Sequence, residues 1–351
     1  MSTQEKSKKN KKCLIWDLDN TLWQGTLAEG GSVTLRDGVR EVLAELDRRG
    51  ILLSVASKNE YDDAMDKLRE FGISEYFLYP QICWSSKADS VAVIAGALNI
   101  GMDSLAFIDD QSFEREEVRY HHPEVLTIDA ADMDKLTEMP EFTPRFITED
   151  SGLRREMYRS DLCRKAEEST FTGSSEEFLA TLDMHLTIAP VAYGDLERVE
   201  ELTVRTNQLN STGVTYGFEE LESYISSPRH IFLIASLKDK FGTYGKIGIV
   251  LLEETETELR IKLLLMSCRV MTRGIGSALL VHLIKLAEAK GKALKADFIH
   301  TGRNRVMYVT YKLMGFEEEN PEDSDAEQCT LIYRSEEKKE YPSYLTLQIR
   351  E

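Results

Sequence analysis

From Cys13 to about Asp129, short β-branched and apolar runs alternate with segments whose apolar positions recur at helical spacing, the pattern of a parallel sheet built from βαβ units. The pattern predicts strands over 13–18, 52–57, 105–109 and 125–128. Val39, Val42, Leu43 and Leu46 share one helical face, as do Tyr61, Ala64, Met65, Leu68 and Phe71, so both helices should cover the sheet. The rhythm lapses over 130–150, where Pro140 and Pro144 stand among acidic residues, and this stretch reads as a connection between domains. A helix near 153–165 then leads into a second alternation: strand 186–191, helices near 195–205 and 218–226, and strands 230–237, 246–253 and 259–267. Helix 275–289, strand 293–299, helix 304–313 and two late strands complete it. The expected organisation is a polar tail over 1–11, an α/β domain over 12–129, a linker over 130–150 and a second α/β domain over 151–351.

Composition narrows the function classes. A chain of 351 residues with 42% hydrophobic content can bury two cores. Its 43 basic against 61 acidic residues leave a formal charge of −18, a field that repels nucleic acid and anionic lipid, so neither is expected as a partner. Apolar runs such as 231–235 and 263–266 are too short to cross a bilayer, and the polar segment 1–12 lacks a signal-peptide core; the expectation is a soluble, cytoplasmic protein. Cys13, Cys83, Cys163, Cys268 and Cys329 are scattered with no CxxC pair and are expected to be free thiols.

Chemistry enters at the strand ends. Ile15-Trp-Asp17-Leu-Asp19-Asn-Thr21 places two carboxylates just past an apolar strand, where open α/β sheets bind their ligands and where like charges call for a cation or a shared proton. Ser57 ends the second strand, Lys87 precedes a helix, and Phe107-Ile-Asp109-Asp110 ends the third. These four phrases resemble the motifs of the haloacid dehalogenase superfamily. The resemblance implies that Asp17 is the phosphoryl-accepting nucleophile and Asp19 the general acid/base, and that Asp17, Asp109 and the Asp19 backbone carbonyl hold Mg²⁺ with Asp110 in support. It also implies that Ser57 and Lys87 bind the phosphoryl group, Lys87 as a catalytic cation.

In the second half, Arg273-Gly274-Ile-Gly276-Ser277 opens a helix after an apolar strand and presents backbone N–H groups to an anion. With Asn304 and Tyr311-Lys-Leu-Met-Gly315-Phe316 it is similar to the GCN5-related N-acetyltransferase fold, although Met271 stands where that family usually has Arg or Gln. That resemblance implies a pantetheine groove between splayed strands, with Gly274 and Tyr311 near it. Lys12–Gly25, Ser57-Lys-Asn59, Thr206-Asn207-Gln-Leu-Asn210, Phe241-Gly-x-x-Gly245 and Met266-Ser-Cys268-Arg269-Val together resemble the FkbH-like glyceryl transferase/phosphatases over about residues 12–351.

Such proteins take 1,3-bisphosphoglycerate, release phosphate and load the glyceryl unit on the phosphopantetheine thiol of an acyl carrier protein, toward polyketide extender units. The resemblance implies a substrate-binding set of Ser57, Asn59, Asn207, Asn210, Arg269, Arg273, Gly274 and Tyr311. Cys268, with Arg269 and Arg273 beside it in sequence, is the leading acyl-accepting thiol, set against a packed strand residue as the alternative. An acidic carrier would need a local basic patch, for which Lys246, Lys262, Arg269 and Arg273 are the candidates. Two rival readings stand beside this one: a Mg²⁺ phosphatase fused to a coenzyme A-dependent N-acetyltransferase, and a phosphatase fused to an inert carrier-docking module.

Overall fold

The computed structural model describes residues 10–29, 32–320 and 327–350, so most of the expected polar tail lies outside the described residues. The chain divides into two compact units, 1–159 and 160–351.

The first unit runs β1 (Cys13–Trp16), β2 (Trp23–Gln24), β3 (Thr34–Leu35), α1 (Val39–Arg48), β4 (Leu52–Ser57), α2 (Tyr61–Glu70), β5 (Gln81–Ile82), α3 (Lys87–Leu98), β6 (Leu105–Asp109), α4 (Ser112–His121), β7 (Leu126–Asp129) and α5 (Glu149–Gly152). Its five-stranded sheet has the order β5-β4-β1-β6-β7, and every pairing is parallel. Every residue of β1, β4 and β6 is buried, as strands covered on both faces require. The expected face of α1 is the buried one. The β2–β3 hairpin follows β1 directly.

The expected linker is a correction. Residues Ala130–Glu138 and Pro140–Phe142 form 3₁₀ turns that carry Ala130, Met133, Leu136 and Phe142 into the first core, and the units part only after Arg159, inside α6 (Arg154–Thr170).

The second unit continues with α7 (Ser175–Ala180), β8 (Met184–Pro190), α8 (Leu196–Arg205), α9 (Phe218–Ile225), β9 (His230–Asp239), β10 (Gly242–Glu254), β11 (Glu258–Met266), α10 (Ile275–Lys290), β12 (Ala293–Ile299), α11 (Arg305–Leu313), β13 (Phe316–Glu318), β14 (Gln328–Tyr333) and β15 (Leu345–Ile349). Eight strands make one sheet, β13-β14-β12-β11-β10-β9-β8-β15, antiparallel from β8 to β11 and parallel between β11 and β12. The Phe241–Gly245 phrase starts in the turn after β9 and runs into the first residues of β10. Asp239 Oδ1 accepts from the N–H groups of Phe241 (2.9 Å) and Gly242 (3.2 Å). The same carboxylate accepts from Arg164 Nε at 2.6 Å and Nη2 at 2.9 Å, while that guanidinium lies 3.8 Å from the Tyr244 ring centroid. No helix among the described residues is long and apolar enough to cross a membrane.

Candidate functional site

Asp17 leaves the sheet one residue past β1, where its N–H donates to Ile108 O of β6 at 3.0 Å. Its side chain is buried. Oδ1 accepts from Ser57 Oγ at 2.9 Å and meets Lys87 Nζ at 2.8 Å, and Oδ2 accepts from Thr21 Oγ1 at 3.3 Å. Lys87 opens α3, whose N-cap Ser86 accepts from Ala88 N at 3.1 Å, and its ammonium also binds Asp109 Oδ2 at 2.5 Å. Asp109 Oδ1 accepts from Gln111 N at 2.8 Å, and Arg115 donates to the Asp109 carbonyl at 2.8 Å. The sheet order thus brings together residues 17, 57, 87 and 109 from four separate segments.

Asp19 has a separate setting. Its Oδ1 accepts from Trp23 Nε1 (2.7 Å) and Leu27 N (3.0 Å), and its Oδ2 from Asn59 Nδ2 (3.0 Å). Asn59 also donates to Ser57 Oγ at 3.2 Å, so it positions both motifs. Thr21, in the same sequence run as Asp17 and Asp19, is a connector: it donates to Asp17 and accepts from Asp110 N at 3.0 Å.

Three carboxylates surround one ammonium here. Burial pushes the Asp17 carboxyl up, against the pull of Lys87 and with a further push from Asp109, and burial likewise raises Asp109. Burial opposes the charge on Lys87, but Asp17 and Asp109 outweigh it and hold its pKa above the usual lysine range. One oxygen each of Asp17, Asp109 and Asp110 lie within 4.8 Å of one another, and Asp110 Oδ1 is buried without a hydrogen-bond partner among the described residues. Hard carboxylate oxygens in excess of local positive charge fit Mg²⁺. Asp110, expected in support, stands with Asp17 and Asp109 as a third carboxylate of the cluster, and the Asp19 side chain is held by Trp23, Leu27 and Asn59.

The second unit departs further from expectation. Cys268 is exposed, in the 3₁₀ turn Cys268–Val270 between β11 and α10, and Arg269 follows it with Nε 3.3 Å from Ser267 Oγ. Arg273 is only 4% exposed, directed to Glu168 at 3.6 Å and the Phe178 ring at 6.0 Å, which leaves Arg269 as the sequence-adjacent cation of the thiol. Gly274 caps α10 at φ +72°, and a Cβ there would run into Tyr344 Oη. Tyr311 is a core aromatic, fully buried against Phe298 and Phe316, with burial raising its hydroxyl pKa. Asn207 is exposed. Asn210 is fully buried, its Oδ1 accepting from Thr212 N (3.1 Å) and Gly213 N (2.9 Å), so it builds a turn rather than facing a substrate. The expected basic patch is largely neutralised: Lys246 pairs with Asp195 and Lys262 with Asp297.

The expected pantetheine groove is also a correction. Strands β11 and β12 pair only from Glu258↔Ala293 to Ile261↔Ala296 and then part. The chain's own segment Leu209–Ser211 fills the gap. On the β11 side, Met266 N donates to Leu209 O (2.8 Å), Ser211 N to Leu264 O (2.9 Å) and Leu264 N to Ser211 Oγ (3.0 Å). On the other side, Ile299 N of β12 donates to Ser211 O at 3.1 Å. Asn304 Nδ2 locks the insert by donating to Asn210 O (2.9 Å) and Ile299 O (2.8 Å). Backbone groups that a bound amide chain would satisfy are already paired.

Residues 21–113 match the haloacid dehalogenase-like hydrolase family. No curated protein matches the chain. Among solved structures, the N-terminal part of the Bacteroides fragilis protein BF1531, containing a phosphatase domain complexed with Mg, is 34% identical over 36% of this chain and 38% of that one, with a TM-score of 0.32. The Escherichia coli ribosomal-protein-S18-alanine N-acetyltransferase is 18% identical over 43% of this chain and 97% of its own, with a TM-score of 0.33. The PaiA N-acetyltransferase of Thermoplasma acidophilum, in complex with coenzyme A, is 20% identical over 43% and 99%, with a TM-score of 0.32. The first unit thus carries a haloacid dehalogenase-like α/β domain.

Proposed function

We propose that this chain is a Mg²⁺-dependent phosphatase and glyceryl transferase that takes 1,3-bisphosphoglycerate and loads a glyceryl unit on the phosphopantetheine thiol of an acyl carrier protein. The observation that carries the phosphatase half is the Asp17, Asp109 and Asp110 cluster beside Lys87 and Ser57. In this reading Asp17 Oδ attacks phosphorus, the P–O bond to C3 breaks, and Asp19 gives a proton to the departing alkoxide. Water, deprotonated by Asp19, then attacks the aspartyl phosphate and releases inorganic phosphate. Mg²⁺ held by Asp17, Asp109 and Asp110 would supply positive charge to the phosphoryl oxygens, and Lys87 adds to it.

The C1 acyl phosphate needs no such help. A Cys268 thiolate attacks the carbonyl and expels phosphate, and the carrier thiol then displaces the cysteine from the thioester. Exposure of Cys268 supports this role, because the relay needs only a thiol open to solvent and no pantetheine in the filled strand gap. That filled gap, with Tyr344 over Gly274, weighs against a coenzyme A-dependent N-acetyltransferase. It also favours one second reading, a second unit that docks the carrier without chemistry. Incubation with 1,3-bisphosphoglycerate and no carrier separates the two. The relay predicts a hydroxylamine-sensitive adduct on the Cys268 peptide, lost in Cys268→Ser, whereas a docking unit gives none.

A further inference from the structure

Lys58 lies between Ser57, which bonds Asp17, and Asn59, which bonds Asp19. Its ammonium leaves the end of β4 and meets Glu114 Oε1 of α4 at 2.6 Å. In the sheet order β5-β4-β1-β6-β7, β1 lies between β4 and β6, and α4 follows β6. The Lys58–Glu114 bridge therefore joins the segments that follow β4 and β6, the two strands on either side of β1, whose end carries Asp17.

This bridge differs from an ordinary surface ion pair. Glu114 is 4% exposed, and its second oxygen, Oε2, is buried without a hydrogen-bond partner among the described residues, whereas the Lys58 side chain remains 34% exposed. A pair serving stability alone gains nothing from an orphaned buried acceptor, which is costly to leave unmade. Next to a phosphoryl-transfer site, the arrangement offers a ligand one anionic acceptor and one cationic donor, tied together so that their charges cancel.

We propose that Lys58 and Glu114 recognise the organic half of the phosphomonoester, Glu114 Oε2 accepting from a hydroxyl and Lys58 Nζ donating to a carbonyl oxygen on the adjacent carbon. The ligand class is an α-hydroxyacyl phosphomonoester. The inference rests on the phosphoglyceryl reading above and deepens it, because the C2 hydroxyl and C1 carbonyl of that group stand in this relation. A site built around a polar pair rejects analogues that leave it unpaired.

The test measures Asp17-dependent kcat/KM on 3-phosphoglycerate, as a soluble stand-in, and on two truncated esters: 3-phosphonooxypropanoate, which lacks the hydroxyl, and glycerol 3-phosphate, which lacks the carbonyl. Wild type should prefer 3-phosphoglycerate over each by about tenfold or more. Glu114→Gln should compress the first preference toward unity and Lys58→Met the second, in variants whose thermal unfolding confirms a folded first unit. The two variants are independent arms, so one that fails to fold leaves the other decisive. A variant that lowers all three substrates by one factor, or leaves both ratios unchanged, overturns the inference alone. A wild type that hydrolyses p-nitrophenyl phosphate through Asp17 but none of the three esters overturns the phosphoglyceryl reading, and this inference with it.

Discussion

Replacing Lys87 by methionine removes the one ammonium bound to both Asp17 and Asp109 while keeping most of the side-chain volume. The side chains involved are 4%, 4% and 0% exposed, so the two carboxylates left behind face each other with little water to screen them. Removing one partner of a buried pair costs about 3–5 kcal/mol. The lower end is expected here, since burial already favours protonation of Asp17 and Asp109 and a shared proton relieves part of the repulsion. At 2–4 °C per kcal/mol for a unit of this size, the metal-free variant should melt roughly 6–12 °C below wild type.

Mg²⁺ reverses the order of effects. At a hundred times its Kd the ion adds about 2.7 kcal/mol to any site that binds it only when folded. A site that has lost its ammonium binds the cation more tightly, so the Mg²⁺-induced rise in Tm should be larger in Lys87→Met than in wild type. Tryptophan fluorescence is the assay, because Trp16, Trp23 and Trp84 are the only tryptophans and all belong to the first unit. An unchanged metal-free Tm, or an equal Mg²⁺ response in both proteins, would refute this account of the cluster's electrostatics.

Two further expectations concern the second unit. Gly274→Ala forces a side chain into left-handed backbone and against Tyr344 Oη, and should cost at least roughly 1–2 kcal/mol in chemical denaturation, with part restored by adding Tyr344→Ala. Glu318 sits where burial would raise its carboxyl, but Lys312 and Tyr308 outweigh that and hold it down to about 2. A folded pKa below the unfolded one stabilises above the unfolded value, and the contribution disappears as pH falls toward the folded one. Glu318→Gln should therefore be less stable than wild type at pH 7, with the gap closing between pH 4.5 and about 2 in circular dichroism melts.

The carboxylate cluster was legible because parallel strands end where ligands bind: Asp17, Ser57 and Asp109 follow or close β1, β4 and β6, and Lys87 opens the helix after β5. Misreading residues 130–150 as a linker has a physical reason. Met133, Leu136 and Phe142 enter the core from 3₁₀ turns, which lack the α-helical period that marks a packed face. The insert between β11 and β12 leaves no local signal, since its bonds are mainly backbone groups of residues 209–211 meeting partners more than fifty positions away. The inward turn of Arg273 toward Glu168 and Phe178 is equally invisible to spacing. Lys58 and Glu114 lie 56 residues apart, and only the strand order, with β4 and β6 flanking β1, brings them together.

The most direct test of the central claim is the intact mass of an acyl carrier protein after incubation with 1,3-bisphosphoglycerate, Mg²⁺ and either wild type or Asp17→Asn. An amide in place of the carboxylate keeps the shape of the site but is a poor nucleophile and a poor Mg²⁺ ligand. The account predicts a glyceryl thioester on the carrier from wild type, and a carrier bearing phosphoglyceryl or nothing from Asp17→Asn. Unphosphorylated glyceryl-carrier formed by Asp17→Asn at the wild-type rate would contradict it.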